Sequence, residues 1–193
     1  MIPALSQSGL LPPFLPNAGP TQSAAMAPYK ATVAEVVSRF ANTQERETIL
    51  RGLLSYRQLL RDAGITSGFQ WIDGSYVEDC ERRRNRAPGD VDVVTFAERP
   101  TSHLDDAAWG AFVRRNQGRL FDRASIKRQY SCDAFYEDLC LPSRVIVSRA
   151  RYWFGLFSHE RATFLWKGLI EIPLQADDQA ALALLNGGTG NAS

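Results

Sequence analysis

The residues that most often hold metals or build disulfide scaffolds are scarce here. Two histidines, His103 and His159, occur in 193 residues, which excludes a histidine-rich metal site and leaves carboxylates as the ligands for any metal. Cys80, Cys132 and Cys140 are an odd number without a Cys-x-x-Cys spacing. They argue against a disulfide framework and a structural zinc site, and they fit a reducing cytoplasm. Net charge is close to nil, since 22 Lys+Arg offset 21 Asp+Glu to leave +1. Attachment to nucleic acid or membrane by global charge alone is thereby ruled out. No apolar run approaches the roughly 20 residues of a membrane span. The opening MIPALSQSGLLPPFLPNAGP has neither the basic start nor the continuous apolar stretch of a signal peptide.

What is present is one domain's worth of chain with an ordinary 45% of hydrophobic residues. Residues 1–30 carry six prolines and no sustained periodicity. They read as an extended arm, either packed through Leu10, Leu11, Phe14 and Leu15 or left as a disordered tail. Thr32-x-x-Glu35 and Asn42-x-x-Glu45 fit capping boxes, and apolar residues recur behind each at helical spacing. Two helices are expected, over 32–41 and 43–63, with Gly64 as the stop. Strands are expected at 69–73, 90–96 and 131–136, and a last one within 164–174. Helices are expected at 104–117 and, after Pro142, at 143–157. QAALALL makes a helical turn or two inside a C-terminal tail, 176–193, that ends in a frayed GGTGNAS. The order predicts an α/β (α+β) domain over 31–175, a small mixed β-sheet with flanking helices.

Chemistry concentrates in Trp71-Ile-Asp-Gly-Ser-Tyr, an arginine-rich loop, and Gly89-Asp-Val-Asp-Val-Val. Along a strand, residues i and i+2 share a face roughly 6.5–7 Å apart. Asp90 and Asp92 therefore stand side by side while Val91 and Val93 face a core. Two adjacent carboxylates repel and raise one pKa, and a divalent cation relieves this. Mg²⁺ takes one or two carboxylates together with water and substrate phosphate oxygens. Gly74 lets backbone amides approach a phosphate, Ser75 adds a hydroxyl, and a helix starting at Ser75 would add a favourable dipole. Asp133, on the strand that follows, is the best third carboxylate.

Gly-Ser, a loop, Asp-x-Asp on a strand and a later strand Asp resemble the signature of the polymerase-β-like nucleotidyltransferase superfamily. The LLPP near the N-terminus, WIDGS, PGDVDVV, Lys127-x-x-Tyr130-x-x-Asp133 and Lys167-Gly-Leu-Ile resemble an uncharacterised bacterial branch of it. The resemblance implies a nucleotidyltransferase-like fold and transfer of a nucleoside monophosphate from an NTP to an acceptor, with release of pyrophosphate. It gives Gly74 and Ser75 the triphosphate-binding role and Asp90 and Asp92 the role of holding Mg²⁺ or Mn²⁺. It makes Asp133 the third metal ligand, which helps activate the acceptor hydroxyl. By motif position Lys127 and Lys167 are phosphate contacts. The alternative is a catalytically inactive nucleotide- or RNA-binding regulatory partner, as in a toxin–antitoxin or phage-defence module.

Fourteen residues, 76–89, separate Ser75 from Asp90, a longer gap than minimal members of the superfamily have. They include Arg82, Arg83, Arg84 and Arg86, which read either as a solvated face or as the contact to an acidic acceptor such as RNA, or to a protein. Residues 108–170 carry eleven Lys/Arg against five Asp/Glu, so charge is uneven despite the balanced total. Plainer readings stand beside these. Asp90 and Asp92 could be surface charges of an edge strand, Asp133 a strand-end cap, and Asp73 a bond to the turn backbone. Tyr152, Trp153, Phe154 and Phe157 read as helix core rather than as a platform for bases.

Overall fold

Helix formation begins where a cap is available. Thr32 Oγ1 accepts from the Glu35 amide at 3.1 Å, and the Glu35 carboxylate accepts from the Thr32 amide at 2.8 Å, a closed capping box that opens α1 (Val33–Phe40). The structure, a computed structural model, describes residues 1–15 and 17–187. The second cap is Thr43 rather than Asn42: its hydroxyl accepts from the Arg46 amide, and α2 spans Gln44–Asp62. Both helices turn apolar faces inward, with Val36, Leu50, Leu53 and Leu60 fully buried.

The strands are β1 (Tyr29–Lys30), β2 (Gly68–Asp73), β3 (Val91–Ala97), β4 (Cys132–Asp138) and β5 (Ile170–Pro173). They form one mixed sheet in the order β1-β5-β2-β3-β4. β2 runs antiparallel to both β3 and β5, whereas β3 pairs parallel with β4 and β1 parallel with β5. The small mixed sheet flanked by helices is the architecture expected. Side chains alternate across it. Ile72, Val91, Val93 and Ala134 enter the larger core with α1 and α2. Trp71, Val94 and Phe96 enter a smaller core, where Trp153 and Phe157 of α6 (Ser143–Phe157) cover them.

Several segments differ from expectation. The arginine-rich loop contains a short helix, α3 (Cys80–Arg84), capped by Asp79 and ended by Asn85 in the left-handed region at φ +50°. The helix α4 (Asp106–Asn116) continues into a π-helical turn, Gln117–Phe121. A further helix, α5 (Arg123–Tyr130), follows, capped by the Asp122 side chain at 2.9 Å from the Ser125 amide. Its apolar positions are too few for periodicity to reveal it. Gly52 admits it against α2, because a Cβ there would overlap the Tyr130 carbonyl. Asp90 stands one residue ahead of β3.

The N-terminal arm packs: Leu10 and Leu11 are buried, and Gly168 donates to the Leu11 carbonyl at 2.8 Å. Leu15 is exposed instead. The segment expected as a tail contributes α7 (Asp178–Gly187), which buries Ala181 and Leu185 against α1 and α2. The frayed GGTGNAS end, beyond Gly187, lies outside the described residues. Among the described residues, no helix is long and apolar enough to cross a membrane. The three cysteines are free thiols, Cys80 and Cys132 buried and Cys140 exposed.

Candidate functional site

Sheet register assembles the site. Asp73 of β2 pairs with Asp92 of β3, and Asp92 pairs with Asp133 of β4, so three carboxylates form a row across adjacent strands. The row lies on the sheet face that also carries Trp71, Val94 and Phe135, the face beneath α6. Asp90, two residues before Asp92, joins it from the loop. One carboxylate oxygen from each of Asp90, Asp92 and Asp133 lies within 4.8 Å of the others, close enough that the three could hold a metal ion.

The neighbours of the triad set its charge. Arg123 grips Asp133 with two nitrogens, one of them at 2.6 Å, and Lys127 stands 3.4 Å from the same carboxylate. Lys127 also pairs with Asp90. Burial favours the neutral form of Asp133, but Arg123 and Lys127 outweigh it and hold the carboxyl below its usual range. Among the described residues, Asp92 makes no hydrogen bond and no ion pair. Burial, followed by repulsion from Asp90 and Asp133, pushes it up to about 6. Asp73 is buried and is pushed up to about 7 by desolvation, against the pull of Lys167 at 3.0 Å and the Gly74 amide. The Gly74 amide of the turn favours its charge, in line with one of its sequence readings.

Gly74 and Ser75 follow directly. Gly74 adopts φ +83°, and a Cβ there would overlap Asp92 Oδ2 and stand 3.0 Å from Asp92 Cγ. Its smallness thus makes room for a carboxylate in this structure, a role the sequence does not disclose. No helix of useful length begins at Ser75, only the three-residue 3₁₀ turn Ser75–Val77. The helix dipole expected there is therefore not available.

A cleft of about 630 Å³ opens over the row. Gly74, Ser75, Asp90, Asp92, Lys127 and Asp133, singled out from sequence, all line it, together with Asp73, Arg84, Arg86 and Lys167. So do residues the sequence did not mark: Arg123, Glu78, Glu160 and His159. Arg123 escaped notice because it sits on α5, which periodicity does not reveal, and Glu160 because its partner Arg84 is distant in sequence. Lys167 is buried and locked between Asp73 at 3.0 Å and Glu78 at 2.9 Å, so it holds the cleft wall together instead of reaching into it. Burial opposes its charge, and the two carboxylates more than restore it.

The arginine run is divided between internal partners and solvent, with Arg82, Arg84 and Arg86 exposed. Arg82 pairs with Asp79 at 2.7 Å, and Arg83 donates to the Ser8 carbonyl at 3.3 Å. Arg84 bridges Glu78 at 3.0 Å and Glu160 at 3.2 Å. Among the described residues Arg86 bonds only the neighbouring Ala87 carbonyl, and it lines the cleft. Three of the four therefore have internal work, tying α3 to the arm and to the cleft wall.

No curated protein and no solved structure matches the chain. A family model does match, over residues 3–173, a span that carries every residue of this cleft. The chain thus belongs to DUF6932, a family of unknown function.

Proposed function

We propose that the cleft transfers a nucleoside monophosphate from an NTP to an acceptor hydroxyl and releases pyrophosphate. The observation that carries this reading is Asp92, a half-buried carboxylate that, among the described residues, has no hydrogen bond or ion pair and stands beside Asp90 and Asp133. The donor set suits a hard divalent cation, because the triad offers oxygen alone. Mg²⁺ or Mn²⁺ would be held by Asp90, Asp92 and Asp133 and would neutralise charge on phosphoryl oxygens.

The chain's own groups supply the remainder. Arg86 and Lys127 line the cleft and offer cations to the triphosphate, beside the Ser75 hydroxyl. Asp133, kept ionised by Arg123, accepts the acceptor's proton. The acceptor oxygen bonds to the α-phosphorus, the bond from that phosphorus to the β-bridging oxygen breaks, and pyrophosphate leaves. Incubation with each labelled NTP, Mg²⁺ and total RNA or lysate tests the reading. Labelled acceptor is expected, with loss of about 10²-fold or more in Asp92→Asn at unchanged circular dichroism. Full turnover in Asp92→Asn would sink the metal assignment.

A second reading, a nucleotide- or RNA-binding partner without transfer chemistry, draws on a different observation. Lys127 and Arg123 already satisfy Asp90 and Asp133 from within the chain. Calorimetric titration of NTP with and without Mg²⁺ separates the two, since binding without turnover favours the partner.

A further inference from the structure

The chain has 20 aromatic residues, and three of them are exposed: Tyr152 at 56%, Phe164 at 80% and Trp166 at 42%. All three fall in α6 and the loop after it, which also expose Val145, Val147, Leu156 and Leu165. The same stretch is cationic. Arg144, Arg151 and Arg161 are exposed and, among the described residues, make no hydrogen bond or ion pair; Arg149 reaches only Glu137, at 3.6 Å. Between residues 139 and 170 the one carboxylate is Glu160, which is buried. The stretch leads into the cleft, since Leu156, Phe157, His159, Arg161 and Ala162 line its wall.

The loop holds its backbone in place at Phe164. Phe164 has φ +57°, a region that L-residues with bulky side chains rarely enter. Glu160 enforces it: its carboxylate accepts from the Thr163 amide at 2.8 Å and the Thr163 hydroxyl at 2.7 Å, and its carbonyl accepts from the Phe164 amide at 2.8 Å. Arg84 anchors the same carboxylate at 3.2 Å. A largely solvated ring on a backbone held in a sparsely populated conformation is a functional signal.

We propose that α6 and residues 158–166 bind single-stranded nucleic acid, with Tyr152, Phe164 and Trp166 stacking on bases and the four arginines meeting phosphates. Stacking needs no base identity, because every base has a π-face, and unpaired arginines supply the electrostatic part. The strand then points into the cleft, which names the acceptor class for the transfer reading and rests on that reading in this respect alone. Arginine and aromatics also suit a protein partner. Four cations without an exposed carboxylate, leading to a cleft that itself offers cations to phosphate, favour the polyanion.

Fluorescence anisotropy of the full chain with a labelled oligoadenylate, across a salt series, tests this. The wild type is expected to bind, more weakly as salt rises. Arg149→Glu with Arg151→Glu should weaken binding about tenfold or more and flatten the salt slope. Phe164→Ala and Tyr152→Ala should each weaken it about fivefold or more, and Phe164→Trp should restore it. Circular dichroism should not change, because these side chains are exposed. A DNA strand that binds alike supports the single-strand assignment, and an RNA preference supports it and names the source. Equal binding of a duplex overturns the stacking assignment. Normal transfer alongside unchanged binding in all surface variants overturns this inference alone, whereas strand binding without transfer from any NTP overturns only the transfer reading. Failure to bind any oligonucleotide, with self-association that Val147→Glu abolishes, gives the face to a protein and overturns the proposal.

Discussion

Gly74 carries two constraints at one position: a left-handed φ of +83° and an Asp92 oxygen where a Cβ would be. Gly74→Ala is therefore expected to cost about 1–3 kcal/mol of stability and to push Asp92 out of the triad. Urea denaturation measures the first effect, and loss of Mn²⁺ binding by calorimetry the second. Undiminished Mn²⁺ binding in this variant would show that Asp92 does not need that space. The residues legible in sequence were those governed by a period of two, Asp90 and Asp92, or by adjacency, Gly74 and Ser75. Arg123 escaped assignment because its helix, α5, was not readable, and the pairing of Lys167 because it is long-range. Lys167 meets Glu78 across 89 residues of chain, a distance no local pattern spans.

Elements with a cap and a long apolar stripe were readable at nearly their observed limits, as α6 shows with Pro142 before it. α5 was not, since eight residues with Ile126 as their buried member leave almost no periodicity. The internal partners of the arginine run were only partly legible: Asp79 and Glu78 lie in or beside the loop, but Glu160 comes from 76 residues away. At the N-terminus of α1, the Asp177 carboxylate accepts from the Val33 and Ala34 amides, both at 3.0 Å. An anion there satisfies two free donors and meets the positive helix end. Asp177→Ala is expected to cost about 1 kcal/mol, with earlier amide exchange at Val33 and Ala34 than elsewhere in the helix. Equal exchange in mutant and wild type would remove Asp177 as a cap.

Across the molecule, balanced charge reflects internal pairing. Arg57, fully buried, donates to both Asp178 oxygens at 2.8 Å, to Gln70 at 2.7 Å and to the Pro173 carbonyl at 2.9 Å, fastening α2 to α7 and the sheet. Burial raises the Asp178 carboxyl, but hydrogen bonds and charge from Arg57 and Arg61 outweigh it and hold it below the ordinary 3.8. The unfolded chain takes up that proton first. The pair's stabilisation is thus complete above about 3.8 and is lost as pH falls through the lower folded value. Asp178→Asn should cost about 3–5 kcal/mol at neutral pH by leaving Arg57 buried without its anion. The gap from wild type should narrow in acid, as urea midpoints across pH would show. A constant gap would remove Asp178 as the titrating group.

The paired positions of Asp73, Asp92 and Asp133 also constrain how many residues the strands contain. One residue inserted within β4 ahead of Asp133 would turn its carboxylate through the sheet, into the core of Ile126 and Leu120, while Asp92 stayed behind. The same insertion in the connection after Ala97 would leave the row intact. A scan of single-alanine insertions, read by soluble yield and Mn²⁺ binding, should therefore show intolerance at 91–97 and 132–138 and tolerance at 98–105, whatever residue is inserted.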